Sequence, residues 1–88
     1  MKRKNDFVMQ TVGGENILVP LGTKVLDLNG LITLNETAAH LWQLLSEHHT
    51  SDELASALTN EFDINKKTAN DDVQVFLKEI NKLDLLEE

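Results

Sequence analysis

The chain of 88 residues has no cysteine, a single proline, four glycines and only 5% aromatic residues. Without cysteine it has neither a disulfide framework nor a thiolate metal site. Its fold therefore rests on packing alone, and a cytoplasmic location fits. Cations are scarce as well: eight Lys and Arg stand against fifteen Asp and Glu, for a net charge of −7. Phosphate backbones demand cationic surface. The only basic clusters are residues 2–4 and the pair Lys66-Lys67, the second beside Asp63, Asp71 and Asp72, so nucleic acid is not an expected partner. Long apolar runs are missing too. No segment approaches the roughly 20 residues needed to span a bilayer, and the basic start leads into residues 7–10 and then Thr11 and two glycines rather than a signal-peptide core. No membrane partner is expected, and the start reads as a frayed polar tail.

What is present suffices for one small domain over residues 1–88, with 41% apolar residues and one modest core. Phe7–Val12 and residues 16–21 favour strands, and Gly13-Gly14-Glu15 between them signals a hairpin, since glycine accepts the positive φ of tight turns. Pro20 lacks a ladder donor and belongs at a strand end or an edge. After a turn at residues 22–24, a third strand is expected over 25–34 with a break at Asn29-Gly30. Its alternation turns Leu28, Ile32 and Leu34 one way and Leu31 and Thr33 the other.

The rhythm then changes. Asn35 is a good N-cap, Glu36 suits a first turn, and Ala38, Leu41, Trp42 and Leu45 mark one buried helical face. His48-His49 is expected to end that helix. Thr50 and Glu53 form a capping box for a second helix burying Leu54, Ala55 or Ala57, Leu58 and Phe62. After a polar connection at 63–67, a third helix over about 68–83 repeats Val73, Phe76, Leu77, Ile80 and Leu83. The order β-β-β-α-α-α predicts an α+β domain of winged helix-turn-helix type, a three-stranded antiparallel sheet followed by three helices.

Catalytic chemistry has little to work with. His40 has no nucleophile or loop nearby and reads as a surface histidine. His48 and His49 are adjacent, so they do not converge on one metal, and no third ligand has useful spacing. Asp71-Asp72 is explained as a pair complementing the dipole early in the third helix. Gly13-Gly14 lacks the helix that follows a phosphate loop. No enzyme activity, metal or cofactor is expected. What remains is surface: the third strand carries no charge between Asp27 and Glu36. An unprotected strand edge accepts a peptide as an added strand, with backbone hydrogen bonds giving affinity and side-chain pockets giving specificity. Against that stands the ordinary fate of apolar strands, which is to be core.

The segments TVGGENILVP, DLNGLITLNETAAHLWQLL, TSDELASALTNEF and DDVQVFLKEI resemble the PqqD family, named for a protein of pyrroloquinoline quinone biosynthesis. The likeness covers about residues 7–86 and is most specific at Leu34-Asn35-Glu36-Thr37-Ala38 followed by Trp42. Asp84 departs from it, where such sequences often carry glycine before the last apolar pair. The resemblance implies a winged-helix fold without DNA binding that captures the leader segment of a ribosomally made precursor peptide. It implies presentation of that peptide to a modifying enzyme, often a radical S-adenosylmethionine enzyme. The leader would add as a strand along Leu31, Ile32, Thr33 and Leu34, in a groove closed by the third helix. On that helix Phe76, Leu77 and Ile80 are expected in the core, while Asp72, Val75, Glu79 and Lys82 line the groove. Asp72 and Glu79 would meet basic leader residues, and Val75 is the apolar contact. Trp42 is expected in the core rather than in the site. Two other readings compete: a winged-helix DNA-binding regulator, and a subunit that dimerises or exchanges strands through the same edge.

Overall fold

A computed structural model describes residues 1–4, 7–21 and 32–87. Among these residues five strands and three helices run in the order β1 (Lys2–Arg3), β2 (Phe7–Val12), β3 (Glu15–Pro20), β4 (Ile32–Leu34), α1 (Glu36–Leu44), α2 (Ser51–Glu61), α3 (Lys66–Lys82) and β5 (Leu86–Glu87). The main sheet has the antiparallel order β2-β3-β4 and precedes the three helices, the expected α+β architecture. Gly13 and Gly14, at φ 58° and 82°, close the β2–β3 hairpin, and both angles are ones that glycine adopts without strain. Pro20 is the last residue of β3, where its missing donor costs little. Of the expected third strand, Ile32–Leu34 is seen; its earlier part, with Leu31, lies outside the described residues. Leu34 is buried, Ile32 half-buried and Thr33 exposed, as the alternation requires.

One core joins sheet and helices: Phe7, Leu18 and Leu34 from the strands meet Leu41, Trp42, Leu45, Leu54, Leu58, Val73, Phe76 and Ile80 from the helices. Trp42 is 1% exposed and belongs to that core. Two details of the helical reading shift. On α1 the buried small residue is Ala39, while Ala38 is half-buried on the flank toward α3. On α3 Leu77 and Leu83 are half-buried, and Ala69, a turn before Val73, takes the deep position instead.

The caps set the helix limits. Asn35 Oδ1 accepts from the Ala38 amide at 2.8 Å, and Thr50 and Glu53 form both bonds of their capping box. Asn65 Oδ1 accepts from the Thr68 amide at 2.8 Å, so α3 starts two residues before the expected position. Its first turn then holds no acid, and Asp71 and Asp72 fall in the second turn. The dipole effect fades within one turn, so it does not account for them. α1 stops at Leu44, ahead of the histidines; Ser46 and Glu47 amides bond to Gln43 and Leu44 carbonyls and close the helix end.

The chain's start is not a frayed tail. β1 pairs antiparallel with β5, Lys2 opposite Glu87 and Arg3 opposite Leu86. The Arg3 amide donates to the Leu45 carbonyl at 2.9 Å and the Lys4 amide to the Leu85 carbonyl at 2.7 Å. Leu85 is fully buried beneath this ribbon. Asp84, which delivers it, has φ 58° and forms an ion pair with Lys4 at 2.9 Å. Here glycine would sit without strain, a physical reason for the glycine that the resemblance leads one to expect at this position.

Candidate peptide-binding groove

β3 lies between β2 and β4, so one side of β4 pairs with β3 through Leu18–Ile32, Ile17–Thr33 and Asn16–Leu34. Its other side pairs with no described strand; an unpaired strand edge presents backbone donors and acceptors. A single residue, Asn35, separates β4 from α1. This tight connection puts the first turn of α1 beside the end of the strand edge, and α3 packs across from it.

Between α1 and α3 opens a small cavity of about 120 Å³ lined by Asn35, Thr37, Ala38, Asp72, Val75 and Phe76. Its floor is Phe76, itself only 6% exposed. One wall is the α1 turn, where Ala38 is too small to reach across. The other wall is Val75, 64% exposed although branched and apolar. Asp72 is half-buried at the rim, one turn earlier on α3. The arrangement offers an apolar notch with a carboxylate beside it, next to a strand edge.

Of the residues expected in the groove, Ile32, Thr33 and Leu34 form the edge strand, and Asp72 and Val75 line the cleft. Glu79 is exposed one turn beyond Val75 and lies outside the cleft lining. Lys82 falls in the last turn of α3, where a cation favours the helix dipole whatever else it does. Leu31 is outside the described residues. Thr37, Ala38 and Phe76 were not singled out from the sequence as groove residues. The signal for the first two was the strand running straight into a cap, which makes the helix's first turn a neighbour of the strand edge. Phe76 carried no such signal, since its spacing marks it as core.

Elsewhere the polar groups act on the fold. His40 is half-buried with its ring edge-on to Phe62, centroids 5.7 Å apart. His49 Nδ1 lies 3.8 Å from Glu53 Oε1. The hydrogen bond from the Thr50 amide holds the Glu53 carboxyl below its ordinary value of 4.5. Among the described residues no three His, Cys, Asp or Glu side chains gather where a metal would be held. None of the described helices is long and apolar enough to cross a membrane.

Residues 16–86 match the PqqD family, Coenzyme PQQ synthesis protein D. The chain belongs to the PqqD family. Its fold also matches two solved structures across nearly its whole length. "TbiB1 in Complex with the TbiA(beta) Leader Peptide" aligns with TM-score 0.74 at 25% identity, covering 99% of this chain and 95% of that one. "Lasso peptide synthetase B1 complexed with the leader peptide" aligns with TM-score 0.73 over 99% of this chain and 96% of that one; at 18% identity the likeness is one of fold. No curated protein matches the chain.

Proposed function

We propose that this PqqD-family chain is a non-catalytic recognition module for the leader segment of a ribosomally made precursor peptide. The leader adds as a strand to the free edge of β4, and the chain presents the remainder of the peptide to a modifying enzyme of the radical S-adenosylmethionine type. The observation that carries this reading is the cleft beside β4, in which Val75 is 64% exposed next to a half-buried carboxylate. Leader-bound relatives of the same fold support it. Ile32, Thr33 and Leu34, with Leu31 before them, supply the backbone edge. Val75 and Phe76 receive an apolar leader side chain, and a basic one meets Asp72, with Glu79 contacting the leader one turn farther along α3. A cytoplasmic setting, where such precursors are made, suits a cysteine-free chain.

Calorimetric titration with a synthetic candidate leader, taken from any short reading frame found beside this chain's gene, tests the proposal. Val75→Asp is expected to weaken binding by about tenfold or more, a loss of roughly 1.4 kcal/mol, with an unchanged melting temperature because Val75 is exposed. Unchanged affinity in Val75→Asp would contradict the groove.

A further inference from the structure

The sheet has a second edge. The outer side of β2 pairs with no other described strand, and beside it lies a cavity of about 330 Å³ lined by Arg3, Phe7, Val8, Met9, Trp42 and Gln43. Opposite residues across the ladder share a face, so Phe7 and Met9 belong with Leu18 on the core side and Val8 lies on the outer side. The cavity therefore wraps around the edge of β2.

One guanidinium supplies its charge. Arg3 stands 5.0 Å over the Trp42 ring, and its Nη1 donates to the Trp42 carbonyl at 2.7 Å. That bond and the ring contact fasten β1 to α1, yet they use little of the donor fork. Arg3 Nε is buried with no acceptor among the described residues. The ion pairs among the described residues are Lys4 with Asp84 and His49 with Glu53, so none of the described carboxylates pairs with Arg3. Burial pushes the guanidinium below its ordinary value, the direction for a cation desolvated without a compensating charge. The open end of a guanidinium is shaped for a carboxylate.

We infer that the β2 edge and the Arg3–Trp42 notch form a second peptide site, which takes an extended segment of a partner protein carrying an Asp or Glu side chain. The free strand edge supplies backbone hydrogen bonds, and the exposed Val8 and Val12 (41% and 59%) supply apolar contact on the outer face. The carboxylate meets the outer end of the Arg3 guanidinium, whose Nη1 is held by the Trp42 carbonyl. Charge favours this register: a chain of net charge −7 repels an acidic segment over most of its surface, so one cationic notch at a strand edge selects where it settles. β3 lies between β2 and β4, so this site and the proposed leader groove occupy opposite edges and can be filled together. A leader would thus be held on one edge while a partner's acidic strand docks on the other.

The test uses the full ¹⁵N-labelled chain and two capped hexapeptides, one alternating valine with glutamate and its twin with glutamine in place of glutamate. The glutamate peptide is expected to shift the Arg3 Nε–H signal and the amides of Phe7–Val12 and to change the fluorescence of Trp42, the chain's single tryptophan. The glutamine twin should bind at least about tenfold more weakly, and Arg3→Lys, which keeps the charge but not the fork, should lose most of that preference. Equal affinity for the two peptides, shifts confined to Ile32–Leu34, or no shift up to about 1 mM peptide, a range that still reports binding of roughly −4 kcal/mol, would overturn the inference. Should Arg3→Lys fail to fold, the two peptides on the unmodified chain still decide it.

Discussion

At the scale of single residues, Asp84 shows how one backbone angle organises a terminus. Its φ of 58° turns the chain out of α3 so that Leu85 reaches the core and Leu86 and Glu87 pair with β1. Left-handed backbone costs a residue with a Cβ on the order of 1 kcal/mol, more than an exposed ion pair such as Lys4–Asp84 usually returns. Asp84→Gly is therefore expected to raise the melting temperature by a few degrees, since about 1 kcal/mol moves a domain of this size by roughly 4–8 °C. A lower melting temperature in a thermal denaturation scan would mean that the contacts of the Asp84 side chain, the Lys4 ion pair among them, outweigh the strain. Trp42 lies at the other extreme. Its side chain is 1% exposed, and Trp42→Ala should cost about 3–5 kcal/mol, enough to threaten a fold this small. Loss of peptide binding in that variant would say nothing about a contact, so circular dichroism is the measurement to read. Glu53 adds a pH dependence with a definite sign. Its folded-state value lies below the ordinary 4.5, so the stabilisation is present above 4.5 and is lost as pH falls through the lowered value. Thermal melts from pH 7 down to 3 should therefore show a shallower acid decline in Glu53→Gln than in the unmodified chain.

At the scale of elements, the caps and apolar spacings were legible from the residues alone, and the terminal ribbon was not. Asn35, Thr50 with Glu53, and the Leu41–Trp42–Leu45 stripe each act locally, within a turn or two, so a short window of sequence contains their whole cause. β1 and β5 are two residues each and lie at opposite ends of the chain; nothing in Lys2-Arg3 or Leu86-Glu87 announces that they pair. The Asn65 cap was hidden in a polar stretch, and missing it misplaced Asp71 and Asp72 in the first turn of α3. That correction matters for the groove. Without a dipole to complement, half-buried Asp72 has no local structural reason for its place, which strengthens its candidacy as a partner for a basic leader residue. The Ala38 flank was unreadable for a different reason, because helical spacing does not tell which of two adjacent alanines faces the core. Removal of residues 1–4 provides a check on the ribbon: it takes the Met1 carbonyl from the His49 amide and strips the cover from Trp42 and Leu85, and amide exchange at His49 and Leu86 should accelerate well before α2 responds.

At the scale of the whole molecule, sheet order and charge together decide what the fold is suited to. Placing β3 in the middle leaves two strand edges, and the net charge of −7 disfavours the phosphate backbone that a winged helix would otherwise engage. Strand exchange between copies would use the same edge of β4, and a concentration-dependent mass in solution would favour that competing reading. Leader capture makes a narrower demand: it must protect the backbone of β4 and reach Val75 in the same complex. The most direct measurement is an amide-resolved NMR titration of the labelled chain with a candidate leader peptide from a short reading frame beside its gene, run beside a DNA duplex. Shifts concentrated at Ile32–Leu34 and along the Asp72, Val75 and Glu79 side of α3, with none from the duplex, are the predicted result. Leader-saturated spectra in which the β4 amides stay unmoved, or a duplex that shifts α3 and loses its effect steeply with salt, would contradict it.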